Sequence, residues 1–330
     1  MKQYIGSCRT VCLLAVLAAI MSASCEKVIE FNGEQTDPYA VIYSAMESDS
    51  TLQVRLTYSR FFLSSTDFSV INNATIHLYS NGVEVPQATN DRSCYYFGYH
   101  PQPGDTLNIK VEVPGYKRGI LTAGTRVPAK PKVEYVGYTM KSDDDANPYY
   151  DIHLRLTDPK GNNYYTIKVD ALRNKYDTSG VSHYSYESYW FKCHEPLFGD
   201  VAGVSALTDI TEEDAYTELT FSDANFDGRT IDFHLRCDKI YGSGADTLPL
   251  IRINLISLNQ DLYRYTTTQK EAENNLNDGA SSFFSEAVQV YTNVKNGIGV
   301  FGAKSSTSLQ IPIAGDTDNN RKGHARTNHR

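Results

Sequence analysis

Apolar and polar residues alternate along most of the chain with a period of two, as in strands that bury one face. Leu52, Val54 and Leu56 alternate with Gln53, Arg55 and Thr57. Ala74, Ile76 and Leu78 do so with Thr75, His77 and Tyr79, and Asn81-Gly82 then leads into Val83–Val85. Asn-Gly readily takes the positive φ angles of a tight hairpin. Leu107, Ile109, Val111 and Val113 repeat the pattern between Pro103-Gly104-Asp105 and Pro114-Gly115. Beyond Val127–Pro131, whose prolines fix φ and hold their predecessors extended, Ile152, Leu154 and Leu156 alternate with His153 and Arg155. Tyr164–Val169 and Leu250–Ile256 read as strands, and Ile231, Phe233, Leu235 and Cys237 share a face opposite Asp232, His234 and Arg236. One stretch departs from this period. Leu258, Leu262, Tyr265, Gln269, Ala272 and Leu276 recur at helical spacing, which predicts a helix over about 258–276, stopped by Asn277-Asp278-Gly279.

These elements predict an all-β protein. An immunoglobulin-like sandwich is expected over 37–127, and a larger β domain, sandwich or barrel-like, over 132–313 with the one helix packed on it. Ala287–Lys304 reads as strand, turn, strand with Asn296-Gly297 at the turn, Ser308–Ile313 as a last strand, and the polar, basic 314–330 as a disordered tail.

The N-terminus breaks the pattern in another way. Lys2 and Arg9 precede an apolar run, Val11–Met21, too short to span a bilayer, and Ser22-Ala23-Ser24-Cys25 follows. This is the layout of a lipoprotein leader: 1–24 removed, Cys25 lipidated, and 25–36 a polar tether. Ser22 stands where such sites usually carry Leu. The alternative is an ordinary secretory leader cleaved nearby, with Cys25 incidental.

Charge and cysteines narrow the setting. Two of the 31 basic residues leave with the leader, so 29 face 39 acidic ones, a net of −10. That disfavours nucleic acid as a partner, which needs a basic patch. Cys8 and Cys12 leave too, and Cys25 takes the lipid, so Cys94, Cys193 and Cys237 remain. In an oxidising compartment Cys193–Cys237 is the expected disulfide and Cys94 a buried thiol.

Candidate chemistry is sparse. Gly297-Ile-Gly299-Val-Phe-Gly302 fits the dinucleotide pattern, but Lys304-Ser-Ser-Thr-Ser after it opens no helix, so a glycine-rich strand packed closely against a neighbour is expected. Asp223-Ala-Asn225-Phe-Asp227-Gly228 has the first half of a calcium loop. Its twelfth position is His234 and no helices flank it, so a turn is expected and no metal. His194, beside Cys193, could join His234 and Cys237 in a metal cluster, but 234 and 237 lie on opposite faces of a strand, and a disulfide with surface histidines reads better. None of the common serine, zinc-protease or β-lactamase motifs is present. Tyr95-Tyr96-Phe97-Gly98-Tyr99 and Tyr184, Tyr186, Tyr189 and Trp190 are aromatic clusters; core packing is the default, and the second group is the candidate ligand or partner contact.

Several segments together resemble one family. They are Cys25-Glu-Lys-Val-Ile-Glu before Asp37-Pro38, Asn73-Ala-Thr75 through Asn81-Gly82, Pro103-Gly-Asp105-Thr106, Asp158-Pro-Lys-Gly161 with Tyr164-Tyr165, and Phe226-Asp-Gly228. Most specific is the ending, Ser257-Leu-Asn-Gln-Asp-Leu-Tyr263-Arg-Tyr265, then Val290-Tyr-Thr-Asn293 and Gly297-Ile-Gly-Val-Phe301-Gly-Ala. The chain resembles the domain-of-unknown-function family 4249 of Bacteroidota lipoproteins over nearly its whole mature length. The resemblance implies an envelope lipoprotein of the kind encoded beside TonB-dependent receptors, with no established activity and no catalytic residues to carry over.

The resulting expectation is a non-enzymatic accessory lipoprotein of the outer membrane, on its periplasmic or surface face, without a cofactor. It is expected to partner a TonB-dependent transporter in ligand capture or uptake. A structural or adhesion lipoprotein is the second reading. A glycan-active enzyme is the third, and needs two carboxylates facing each other across a cleft.

Overall fold

The computed structural model describes residues 37–313 apart from 62–65, 177–178, 180–181, 194, 199–200, 202–213, 240–249 and 278–287. The leader, Cys25, the tether, His194 and the tail lie outside the described residues. The described residues from Pro38 on form one compact unit.

Among the described residues eight strands precede the proline linker: β1 (Ala40–Glu47), β2 (Gln53–Tyr58), β3 (Thr75–Ser80), β4 (Val83–Val85), β5 (Gln87–Asp91), β6 (Cys94–Phe97), β7 (Thr106–Glu112) and β8 (Leu121–Arg126). After it come β9 (Lys132–Ser142), β10 (Pro148–Thr157), β11 (Tyr164–Tyr176), β12 (Ser182–Ser188), β13 (Phe191–Lys192), β14 (Ala215–Tyr216), β15 (Glu218–Ser222), β16 (Thr230–Asp238) and β17 (Leu250–Leu258). Helix α1 (Gln260–Asn277) and β18 (Ile298–Pro312) complete the fold. The fold is all-β with a single helix among the described residues, and that helix lies within two residues of the stretch its periodicity predicts.

Among the described residues the strands form three sheets and no closed barrel. The largest runs β12-β11-β17-β18-β1-β2-β6-β5, with β15 also paired to β11. The others run β14-β13-β16-β10-β9 and β4-β3-β7-β8. The Asn81-Gly82 hairpin forms as expected, with both residues at positive φ (51° and 84°).

The large sheet takes strands from both sides of Val127–Pro131. Its join is β18, which pairs in parallel with β1 (Val41 opposite Ile298) and antiparallel with β17 (Leu258 opposite Lys304). The expected break between Lys304 and Ser308 is absent. Ser305 and Thr307 instead donate side-chain hydrogen bonds to the carbonyls of Pro128 and Pro131, at 2.7 and 2.8 Å. Prolines have no N–H to offer a sheet, so their carbonyls are served from the side.

The two halves of the chain survive as two hydrophobic cores. One packs Ile42, Leu56, Leu78, Tyr95, Phe97 and Ile109. The other packs Tyr150, Leu154, Ile167, Phe221, Phe233 and Ile253. β18 serves both, giving Phe301 and Ala303 to the first and Ile311 to the second, with Ile313 just past its end joining Ile311. These residues are odd-numbered and so share one side of the strand. Even-numbered Val300 joins a third, smaller cluster with Leu258, Leu262 and Tyr263 of the helix junction.

Candidate functional site

The helix is fastened to the sheet by one side chain and one missing side chain. Asn259 precedes α1, and its Oδ1 accepts the N–H of Leu262 at 3.2 Å, capping the helix start. The same oxygen accepts the Ala303 N–H at 3.0 Å, and Asn259 Nδ2 donates to Thr125 Oγ1 at 2.9 Å. Asp261, in the first turn where the helix dipole favours negative charge, accepts the Tyr291 hydroxyl at 2.6 Å. Opposite, a Cβ on Gly302 would lie 2.8 Å from Leu262 Cβ, so only glycine lets α1 sit this close. Gly299 (φ 106°) holds the other contact: a Cβ there would meet the Ile42 carbonyl oxygen at 2.1 Å. The glycine-rich segment is therefore a packing seam, between β18 and β1 on one side and β18 and α1 on the other.

Beside this seam a cleft of about 210 Å³ opens between α1 and the large sheet. Ala45, Ile256, Leu258 and Leu262 make its apolar part, and Tyr43 also lines it. Thr166, Lys168, Glu218, Thr266 and Lys304 make the polar part. Strand alternation places them. Thr166 and Lys168 flank core-facing Ile167, and Ile256 and Leu258 continue the face opposite Ile253 and Leu255.

Charges meet at this cleft from four strands and the helix. Glu218 receives Lys168 Nζ at 2.5 Å, and Lys270 Nζ from α1 lies 3.8 Å away. Lys304 Nζ lies 3.2 Å from Glu47, which also accepts a hydrogen bond from the Ser306 hydroxyl. Burial by itself would raise the Glu218 pKa. The hydrogen bond from Lys168 and the fields of Lys168, Lys270 and Lys304 outweigh it and hold the carboxyl below its ordinary 4.5. None of these residues stands out in the sequence. Lys168 occupies the polar side of a strand, and Glu218 follows a polar run. Only the pairing of β11, β15, β17 and β18 brings them together.

The opposite end of β15 carries a second carboxylate group. Asp158, Asp223 and Asp227 each offer an oxygen within 4.8 Å of the others. Asp158 accepts the Tyr165 hydroxyl at 2.6 Å and the Gly228 N–H at 2.7 Å. Asp223 accepts the Asn163 N–H at 2.9 Å, and Asp227 the Gly161 N–H at 2.7 Å. Burial, reinforced by the neighbouring carboxylates, raises the pKa of Asp158 and of Asp223. The oxygen spacing is one a cation accepts. Of the calcium-like pattern, Asp223 and Asp227 enter this group. Asn225 does not; its carbonyl accepts from Arg229. The segment is a tight turn between β15 and β16, tied by its aspartates to 158–163.

The four candidate contact aromatics do not line the cleft. Tyr184 and Trp190 are 52% and 61% exposed. Tyr186 carries the Arg252 guanidinium 3.7 Å over its ring, and Arg252 in turn holds Asp170 at 2.8 Å. Tyr189 packs against the second core and donates to the Asp238 carbonyl at 3.1 Å. Cys193 and Cys237 are buried in the same core as free thiols. Strand register explains the missing bond. Phe191 lies opposite Cys237, so Cys193 is two residues along on the diagonal, where Cα atoms are ~7–8 Å apart and a disulfide does not reach. Burial raises both thiol pKa values, which keeps them in the unreactive protonated form.

Comparison with known proteins gives one informative result. No curated protein matches the chain. The Enterococcus faecalis MSCRAMM ACE, described as binding its ligands by the collagen hug model, aligns over 84% of this chain and 96% of its own, at 8% identity and a TM-score of 0.20. A likeness that low bears on neither fold nor function. The family model described as Domain of unknown function (DUF4249) matches residues 26–310, and the chain belongs to that family.

Proposed function

We propose that this protein is a non-enzymatic accessory lipoprotein of the outer membrane, anchored through Cys25, which captures a small ligand for a TonB-dependent transporter. The observation that carries ligand capture is the cleft beside α1. It sets a few apolar side chains beside several convergent charged and hydroxyl groups that can fix and orient a ligand, and polar groups make up most of its surface. Glu218 suits binding better than acid–base chemistry, because its lysines keep it ionised. Membrane anchoring rests on the leader and on Cys25.

Gentle detergent extraction followed by co-purification tests this reading. A β-barrel receptor should accompany the wild-type protein, and Cys25→Ser should release the protein from the membrane fraction. Recovery of the wild-type protein alone, or membrane retention of Cys25→Ser, counts against it. Exposed Tyr184 and Trp190 favour the second reading, a structural lipoprotein that docks another envelope protein on a flat face. Under that reading a soluble protein partner, not a barrel, accompanies the chain.

A further inference from the structure

We infer that the cleft beside α1 takes a small monoanion with an apolar body, a carboxylate being the simplest case; the inference rests on the ligand-capture reading above. Three ammonium groups, Lys168, Lys270 and Lys304, face two carboxylates, Glu218 and Glu47. The cluster carries one uncompensated positive charge. An ammonium offers three donors and no acceptor. Both carboxylates already face ammonium groups, Glu218 those of Lys168 and Lys270 and Glu47 that of Lys304, and Glu47 also accepts from Ser306. Thr166 is also engaged, its hydroxyl 2.9 Å from that of Thr220. The polar side of the cleft therefore holds ammonium donors and one positive charge more than its carboxylates balance. A cationic ligand would meet the surplus charge, and a neutral one would leave it unpaired.

The rest of the cleft sets the body of the ligand. Ala45, Ile256, Leu258 and Leu262 give it its apolar side chains. Its volume of about 210 Å³ lies below the ~300 Å³ at which drug-sized sites begin. A single ring or a short acyl chain fits this space, with its charged end toward Lys168 and Lys304. Glu218 is not a spectator. It holds Lys168 and Lys270 in place, and removing its charge adds to the surplus.

The test is calorimetric titration of the mature chain with benzoate, benzamide and benzylamine, three probes of one shape and three charges. Benzoate should bind at least about tenfold more tightly than benzamide, since a hydrogen bond to a charged group is worth roughly that much, and benzylamine should not bind. Lys304→Gln should weaken benzoate by about tenfold, and Thr266→Trp, which fills the cleft from α1, should abolish it. Glu218→Gln should tighten benzoate, a change opposite to the one misfolding would give, and circular dichroism confirms the fold of each variant. Equal binding of benzamide and benzoate overturns the anion inference while leaving a ligand cleft in place. Failure of benzoate to bind overturns it as well, and co-purification with a barrel receptor then decides separately whether the accessory role stands. Benzoate binding that Thr266→Trp leaves intact places the ligand elsewhere and also overturns it.

Discussion

The carboxylates at the two ends of β15, a half-buried Glu218 at one and a buried Asp223 just past the other, behave in opposite ways. At one end Glu218 is surrounded by lysines and is held ionised below its ordinary pKa. At the other, Asp223 joins Asp158 and Asp227, hydrogen-bond donors replace cations, and burial raises Asp158 and Asp223. The strand between them is five residues long. The neighbouring charge has opposite sign at the two ends, cations around Glu218 and carboxylates around Asp223. Hydrogen bonds from N–H and hydroxyl groups suffice to hold the turn at 223–228 but do not offset three clustered carboxylates. Ammonium groups do offset a carboxylate, and in excess they make a site that attracts an anion.

The difference has a sign in pH. At Glu218 the folded chain holds its proton less tightly than the unfolded chain. Its contribution to stability is present above pH 4.5 and is lost as pH falls through the lower folded value. At Asp158 and Asp223 the folded chain holds protons more tightly. These two cost stability above their raised values, and the cost fades as pH falls toward 3.8.

Substitutions at the two ends should separate these effects. The largest change is expected for Glu218→Gln, about 2 kcal/mol lost at pH 7 in urea unfolding, with the loss shrinking below pH 4.5. This is less than for a fully buried pair, because the side chain keeps 30% of its surface. Unchanged stability would show that the lysines do not favour the carboxylate. Next, Gly302→Ala should cost about 1–2 kcal/mol by overpacking and weaken anion binding by displacing α1 and Lys270. It should leave the acid-side behaviour of the aspartate corner alone, and a change at both ends would mean that they are not independent. The smallest effect is expected for Asp223→Asn. Its oxygen can still accept from Asn163 while one charge leaves the corner, so stability at pH 7 should rise by up to ~1 kcal/mol. A loss would show that the carboxylate charge is needed there.

Much of the fold was legible because alternation is a local signal. β3, β7, β10 and β16 all follow it, and α1 follows its own period. β9 was not legible. It is an edge strand, paired on one side to β10, and residues 134–142 carry little burial to pattern. The parallel β1–β18 pairing joins residues at opposite ends of the chain, and only Gly297 and Gly299 hint at it, through a close approach whose partner the sequence does not name. The cleft was not legible either. Lys168, Glu218 and Lys304 are ordinary polar positions until the sheet assembles. The aromatic clusters drew attention because they are local, yet Tyr189 is a packing residue and Tyr186 supports Arg252.

The central claim is that the charge surplus beside α1 makes that cleft an anion site. The most direct measurement is a crystal structure of the mature chain soaked with 4-bromobenzoate, with the bromine located by anomalous scattering. The account predicts a bromine peak in the cleft against Ile256 and Leu262, with the carboxylate between Lys168 and Lys304. A cleft without bromine in crystals where it is open to solvent, or a ligand placed with its carboxylate away from both lysines, would contradict it.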